Sequence, residues 1–264
     1  MSILKIIGSL LILYLIIVMF IFFYQRKLLY HPSENNYLDE TNLNHKIEKV
    51  YIKSDNDLVA WHYVNDKKFK TMLFFHGNAG RLDNRIYKLN ELSKLQINYL
   101  IVAYRGFSGN EGHPSEKGLY IDSMSAKEWL NNIGIEDKNI ILYGESLGTA
   151  VAVELASNNN FAGIILESPF TSMVKLAKKY YPYLPVTILL KDKYESENKL
   201  EFINSPILIM HGKKDKIVPF EMGMQMFIKS SDPKYKYFND IDDHMMDYNL
   251  ELINSIDNFL KNLN

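Results

Sequence analysis

Ile140-Ile141-Leu142-Tyr143-Gly144-Glu145-Ser146-Leu147-Gly148 is the stretch that decides how this chain folds. Residues 140–143 form a short, continuous apolar run, the pattern of a strand buried on both faces. Leu147–Ser157 has helical spacing. Between them stands a serine flanked by Gly144 and Gly148. A serine hydroxyl is a weak nucleophile and must be exposed, aimed and given a base. A sharp strand-to-helix turn aims it, and flanking glycines remove Cβ atoms that would clash there. The helix amino terminus behind the serine favours developing negative charge. The bland alternative is a glycine-rich turn carrying an idle serine, and it leaves the strand-helix context without a purpose.

The same alternation extends outward. Apolar runs at 72–75, 99–103, 163–166 and 207–210 read as further buried strands. Segments with helical spacing lie at 84–95, 117–132, 170–179 and 220–230, and a final helix is expected over 250–260. Ahead of these, 49–53 and 58–64 alternate polar and apolar residues and read as an antiparallel hairpin around Asp55-Asn56-Asp57. Such alternation predicts an α/β class, a doubly wound and mostly parallel sheet. In that architecture ligands bind at the carboxyl ends of the strands.

A base and an orienting acid are expected in the chain order Ser, Asp or Glu, His. Asp215 lies in the loop after the run 207–210. His244 is the last of seven histidines and the only one beyond Asp215, so it alone fits that order. Asp240, Asp242 and Asp243 crowd His244 and are expected to raise its pKa. They and Glu167 are rival acids. One histidine in an acidic loop makes a poor transition-metal site, and no metal is expected. The loop His76-Gly77-Asn78-Ala79-Gly80 follows the run 72–75 and can turn a backbone N–H toward a substrate carbonyl. The amides of Asn78 and Leu147 are the candidate oxyanion hole. His76, ahead of the serine in the chain, reads as structural.

Thirty basic residues against 31 acidic ones give a net charge of −1, which leaves no cationic surplus for a nucleic acid. The absence of cysteine excludes thiolate nucleophiles, disulfides and Cys-ligated metals. Residues 3–24 carry a single charge, Lys5, and as a helix would span roughly one bilayer core of about 30 Å. The run ends in aromatic and basic residues, Phe22 to Lys27, rather than the small residues of a cleavage site. Residues 1–30 are therefore expected to be a retained single-pass anchor in the lipid bilayer, its orientation undetermined by flanking charge. Residues 31–264 are expected to form one domain. A proline- and tyrosine-rich interruption, within about 173–200, is expected to be a lid, with a helix packed on the core as the equal alternative.

These residues resemble the α/β-hydrolases, and more closely their membrane-anchored BEM46-like branch, related to serine-aminopeptidase-type domains. The resemblance rests on Gln25-Arg26-Lys27-Leu28-Leu29-Tyr30-His31-Pro32, His76-Gly77-Asn78-Ala79-Gly80, Tyr104-Arg105-Gly106-Phe107-Ser108-Gly109 and Gly112-His113-Pro114-Ser115-Glu116-Lys117-Gly118-Leu119. The elbow around Ser146, Ser168-Pro169-Phe170-Thr171-Ser172, the stretch 184–194 and the Asp215 loop complete it. It implies an α/β-hydrolase fold and a triad of Ser146, Asp215 and His244. Two positions depart from the family pattern: Asp243 stands where glycine usually precedes the histidine, and Thr149 replaces a second elbow glycine. The expected activity is hydrolysis of an acyl ester or thioester through an acyl-enzyme, with no cofactor. A peptidase or amidase is the second enzymatic reading, and a non-catalytic membrane scaffold is the reading from another class.

Overall fold

The computed structural model describes residues 3–33 and 39–263. Eight strands form one sheet: β1 Glu48–Ile52, β2 Leu58–Tyr63, β3 Thr71–Phe75, β4 Asn98–Val102, β5 Ile140–Glu145, β6 Gly163–Glu167, β7 Ile207–Gly212 and β8 Lys234–Asn239. Their spatial order is β8-β7-β6-β5-β3-β4-β2-β1. All neighbours run parallel from β8 to β4, whereas β2 is antiparallel to both β4 and β1. The hairpin and the strand-helix alternation thus occur where the sequence predicts them. This is the mostly parallel α/β-hydrolase sheet.

The helices are α1 Ile3–Leu29, α2 Ile86–Leu92, α3 Glu116–Asn132, α4 Leu147–Ser157, α5 Met173–Tyr180, α6 Val186–Leu189, α7 Phe220–Lys229 and α8 Leu250–Lys261. Of these, α3, α4 and α7 cover one face of the sheet and α2 and α8 the other. Strand alternation divides the apolar side chains between two cores. Leu73 and Phe75 pack with residues of α3, α4 and α7, while Met72 and Phe74 pack with residues of α2 and α8. Two helices begin later than their apolar spacing predicts. The region expected from residue 84 opens with a 3-10 turn, Leu82–Arg85, before α2. At α5 the Ser172 side chain accepts the Lys175 N–H and caps the helix there, leaving 170–172 as loop.

A two-residue parallel bridge was not foreseen. His31–Pro32, immediately after α1, pairs with Ala79–Gly80. It ties the end of the first helix to the loop beside the carboxyl end of β3.

Candidate active site

Three strand ends supply the site. Ser146 follows β5 and holds φ 51°, ψ −112°, a conformation that non-glycine residues rarely adopt. The turn is tight enough to forbid Cβ atoms around it. One added at Gly148 would sit 2.0 Å from the Phe75 carbonyl oxygen, and one at Gly144 2.5 Å from the Gly148 carbonyl oxygen. The pattern of glycines is therefore imposed by backbone crowding. Thr149 fits the position where a glycine is usual, because its hydroxyl donates to the Ser146 carbonyl at 2.5 Å.

Asp215 follows β7. Its Oδ1 accepts the N–H groups of Ile217 and Val218, both at 2.8 Å, which fixes the carboxylate plane. Its Oδ2 lies 2.7 Å from His244 Nδ1 and 3.2 Å from His211 Nε2. Burial pushes this carboxyl pKa up, but the hydrogen bonds from His211 and His244 and the nearby His244 charge outweigh it. The net effect holds Asp215 well below the usual carboxylate range. It is a carboxylate at any neutral pH.

His244 follows β8. Asn239 Oδ1 accepts the N–H groups of Ile241 and Asp242, shaping the approach, and Ser168 Oγ donates to the His244 carbonyl at 3.2 Å. The imidazole Nε2 is 2.9 Å from Ser146 Oγ. Ser146, His244 and Asp215 therefore form one continuous chain of hydrogen bonds. Among the rival acids, Asp243 accepts the Met245 N–H and Asp240 pairs with Lys213. Glu167 is bonded to Lys88 and Tyr248. The carboxylate bonded to His244 is that of Asp215.

The loop after β3 lies beside the elbow, with its backbone held on several sides. The Gly77 N–H donates to Glu145 Oε1 at 3.1 Å, the Asn78 carbonyl accepts the His31 N–H, and Asn78 Nδ2 donates to the Leu29 carbonyl at 2.8 Å. His76 is fully buried, and burial, with the Arg85 charge nearby, pushes its pKa down to about 3. It is neutral and packs against Tyr104 and Phe107. Among the described residues no cluster of His, Asp and Glu is arranged to hold a metal.

Sequence reasoning missed a buried ionic cluster directly behind the serine. The parallel register of β5 and β6 sets Glu145 beside Glu167. Two carboxylates so placed need cations, and α2 with its preceding turn supplies them. Arg85 Nη2 lies 2.7 Å from Glu145, while Lys88 Nζ lies 2.7 Å from both Glu145 and Glu167. Burial raises the Glu145 pKa, but Arg85 and Lys88 bring it well below the ordinary value, so Glu145 is an anion held between two cations. Its signal in the sequence was weak: a lysine in an amphipathic helix ordinarily faces water.

A parallel α/β sheet with a serine on a strained turn, a histidine at hydrogen-bond distance and a carboxylate behind it is the architecture of the α/β-hydrolases. The chain belongs to that family, on its Bem46-like side. Residues 44–177 match the model of an alpha/beta hydrolase family of unknown function (DUF1057), and residues 115–256 match the prolyl oligopeptidase family. An uncharacterized protein of Mycobacterium tuberculosis is 33% identical over 83% of this chain and 79% of its own length. Protein bem46 of Schizosaccharomyces pombe is 30% identical over the same shares. Among solved structures, the Pyrococcus furiosus esterase Pf2001 superposes with a TM-score of 0.72 over 89% of this chain and 97% of its own, at 19% identity. That last likeness is one of fold.

Proposed function

We propose that this protein is a membrane-anchored serine hydrolase that cleaves acyl ester or thioester bonds. The hydrogen-bonded line Ser146–His244–Asp215 carries the reading. Ser146 Oγ attacks the acyl carbonyl while His244 Nε2 takes the hydroxyl proton. Asp215 holds the imidazole tautomer and stabilises its cation. The backbone amides of Leu147 and Asn78 receive the oxyanion, each donor lowering the barrier by about 3 kcal/mol. Collapse of the tetrahedral intermediate expels the alcohol or thiol, which leaves with the proton from His244. Water, deprotonated by the same histidine, then releases the carboxylic acid and restores Ser146.

Two observations support the anchor. Residues of α1 are apolar and exposed over the length of a bilayer core, with Gln25 as the helix's buried residue. The helix also runs unbroken into residues that contact the domain. Arg26 makes a two-pronged ion pair with Asp192 at 2.9 and 3.0 Å, and Tyr30 donates to the same carboxylate. Removal of a leader would leave Asp192 buried without its cation.

The match to the prolyl oligopeptidase family favours a second reading, hydrolysis of a peptide or aminoacyl amide. The Pyrococcus neighbour is described as an esterase, but its likeness is one of fold and does not choose between the two. The full chain in detergent, offered p-nitrophenyl acyl esters and aminoacyl p-nitroanilides beside Ser146→Ala, decides between them. Ester hydrolysis and fluorophosphonate labelling are expected, both lost in the variant. Faster amide than ester turnover would establish the peptidase, and a chain inert to the label would leave a scaffold.

A further inference from the structure

The stretch between α5 and Asp192 lies along the proposed anchor rather than on the sheet. Tyr14 donates to the Tyr183 carbonyl at 2.9 Å, Gln25 Nε2 donates to the Leu189 carbonyl at 3.0 Å, and Gln25 Oε1 accepts the Lys191 N–H at 2.8 Å. Tyr14 and Gln25 are eleven residues apart. At 1.5 Å per residue that contact zone is about 16 Å long, roughly half of a hydrocarbon core. Residues 180–190 contain no charged side chain, and Tyr183 and Ile188 are 67% and 84% exposed. Charge returns at both borders, with Lys178 and Lys179 on one side and Lys191 on the other. Lys191 Nζ stands 4.3 Å over the Phe22 ring, at the aromatic end of α1. A neutral, exposed apolar segment bounded by lysines is the pattern of a monotopic insertion.

Between this segment and α1 is a cavity of about 290 Å³, close to the lower end of ligand clefts (about 300 Å³). Ile17, Ile21 and Leu28 line it from the anchor, and Met173, Ala177 and Leu189 from the opposite wall. Of its polar lining, Gln25 is engaged with the Leu189 and Lys191 backbone and Asp192 with Arg26 and Tyr30, while Tyr181 and Tyr183 add only phenol groups to an otherwise apolar wall. No charged side chain of the lining is left over to pair with a charged headgroup. The cavity ends at Leu29, whose carbonyl accepts the Asn78 side chain, and Leu29 and Met173 pack on the same core as Leu147. Through Leu29 the chamber is one residue removed from Asn78, a candidate oxyanion donor.

We infer that residues 180–190 are immersed in one leaflet beside α1, and that the cavity between them seats the acyl chain of a bilayer-resident lipid ester. This deepens the hydrolase reading and rests on it. The acyl chain enters sideways from the leaflet, between α1 and residues 180–190, and its ester end points past Leu29 toward the Asn78 loop and Ser146.

The test uses the full chain in phosphatidylcholine vesicles. Because the protein has no cysteine, Ile188→Cys can carry a single environment-sensitive fluorophore. Quenching by nitroxide-labelled lipid and protection from aqueous iodide are expected; quenching by iodide alone overturns the immersion. Ala177→Trp fills the cavity from the wall opposite α1. It is expected to slow p-nitrophenyl palmitate by about tenfold or more while leaving p-nitrophenyl butyrate within about twofold. Equal loss on both esters with fluorophosphonate labelling intact, or no loss on either, overturns the seat. Should the variant fail to fold, the wild-type chain answers alone, since a dodecyl fluorophosphonate must label about tenfold faster than a methyl one. A wild-type chain that neither labels nor turns over defeats the hydrolase reading itself, while the fluorophore still reports whether residues 180–190 lie in the leaflet.

Discussion

Asp215 is held by four groups at once: two backbone N–H donors on Oδ1 and two imidazoles at Oδ2. Such a carboxylate orients His244 without competing for its proton. Asp215→Asn keeps the shape but presents an amide that stabilises the wrong tautomer, so kcat is expected to fall by about a thousandfold or more with KM little changed. Steady-state kinetics on a short acyl ester measure this. The depressed pKa also has a stability consequence. A group whose folded pKa lies below its unfolded value of about 3.9 adds stability above that pH and loses it as pH falls toward the folded value. The stability gap between wild type and Asp215→Asn, from urea unfolding, is expected to be present at about pH 5 and to narrow as pH falls below about 4. No inflection of activity near neutrality is expected to arise from Asp215.

At the scale of elements, the β5-turn-α4 unit sets the position of Ser146. Its strained Ser146 is held from behind by the cluster of Arg85, Lys88, Glu145 and Glu167, all buried. Lys88→Met leaves Glu145 its Arg85 partner but strips Glu167 of its cation, and a broken buried pair costs about 3–5 kcal/mol. Chemical denaturation should show that loss, and adding Glu167→Gln should recover part of it by removing the surplus charge. Equal stability of Lys88→Met and wild type would mean that the cluster is merely tolerated. This cluster also marks how far the sequence can be read. The elbow was legible because strand, turn and helix are contiguous and each obeys its own period. Asp215 and His244 were legible by chain order after β7 and β8. Lys88 was not, because its partners lie 57 and 79 residues away and come together only through the β5–β6 register.

At the scale of the whole molecule, α1 was legible as a long apolar helix, but its docking on the domain was not. The contacts between Gln25 and Leu189 and between Arg26 and Asp192 cross 164 and 166 residues of chain. Periodicity carries no information over such separations. A fragment beginning at His31 keeps every strand of the sheet but strips residues 181–192 of the partners that hold them. Its amides there are expected to exchange with deuterium faster than those of the full chain by about tenfold or more, while β3, β5 and β6 stay equally protected. Hydrogen-exchange mass spectrometry of both forms in the same detergent makes the comparison. Equal exchange at 181–192 would show that the segment is held by the domain alone.

The junction of helix and domain sets a ruler. Tyr30 and Arg26 both grip Asp192, Leu29 grips Asn78, and His31 is stitched to the Asn78 loop by backbone. No slack chain separates the apolar helix from the serine that stands beside that loop. A tethered enzyme on a flexible stalk sweeps a volume and meets bonds at many heights. Here the height of Ser146 relative to the end of α1 is a fixed length, so reach itself becomes a selector. For the proposed anchored hydrolase, bonds carried at that one level would be attacked, and chemically identical bonds held farther out would pass unnoticed.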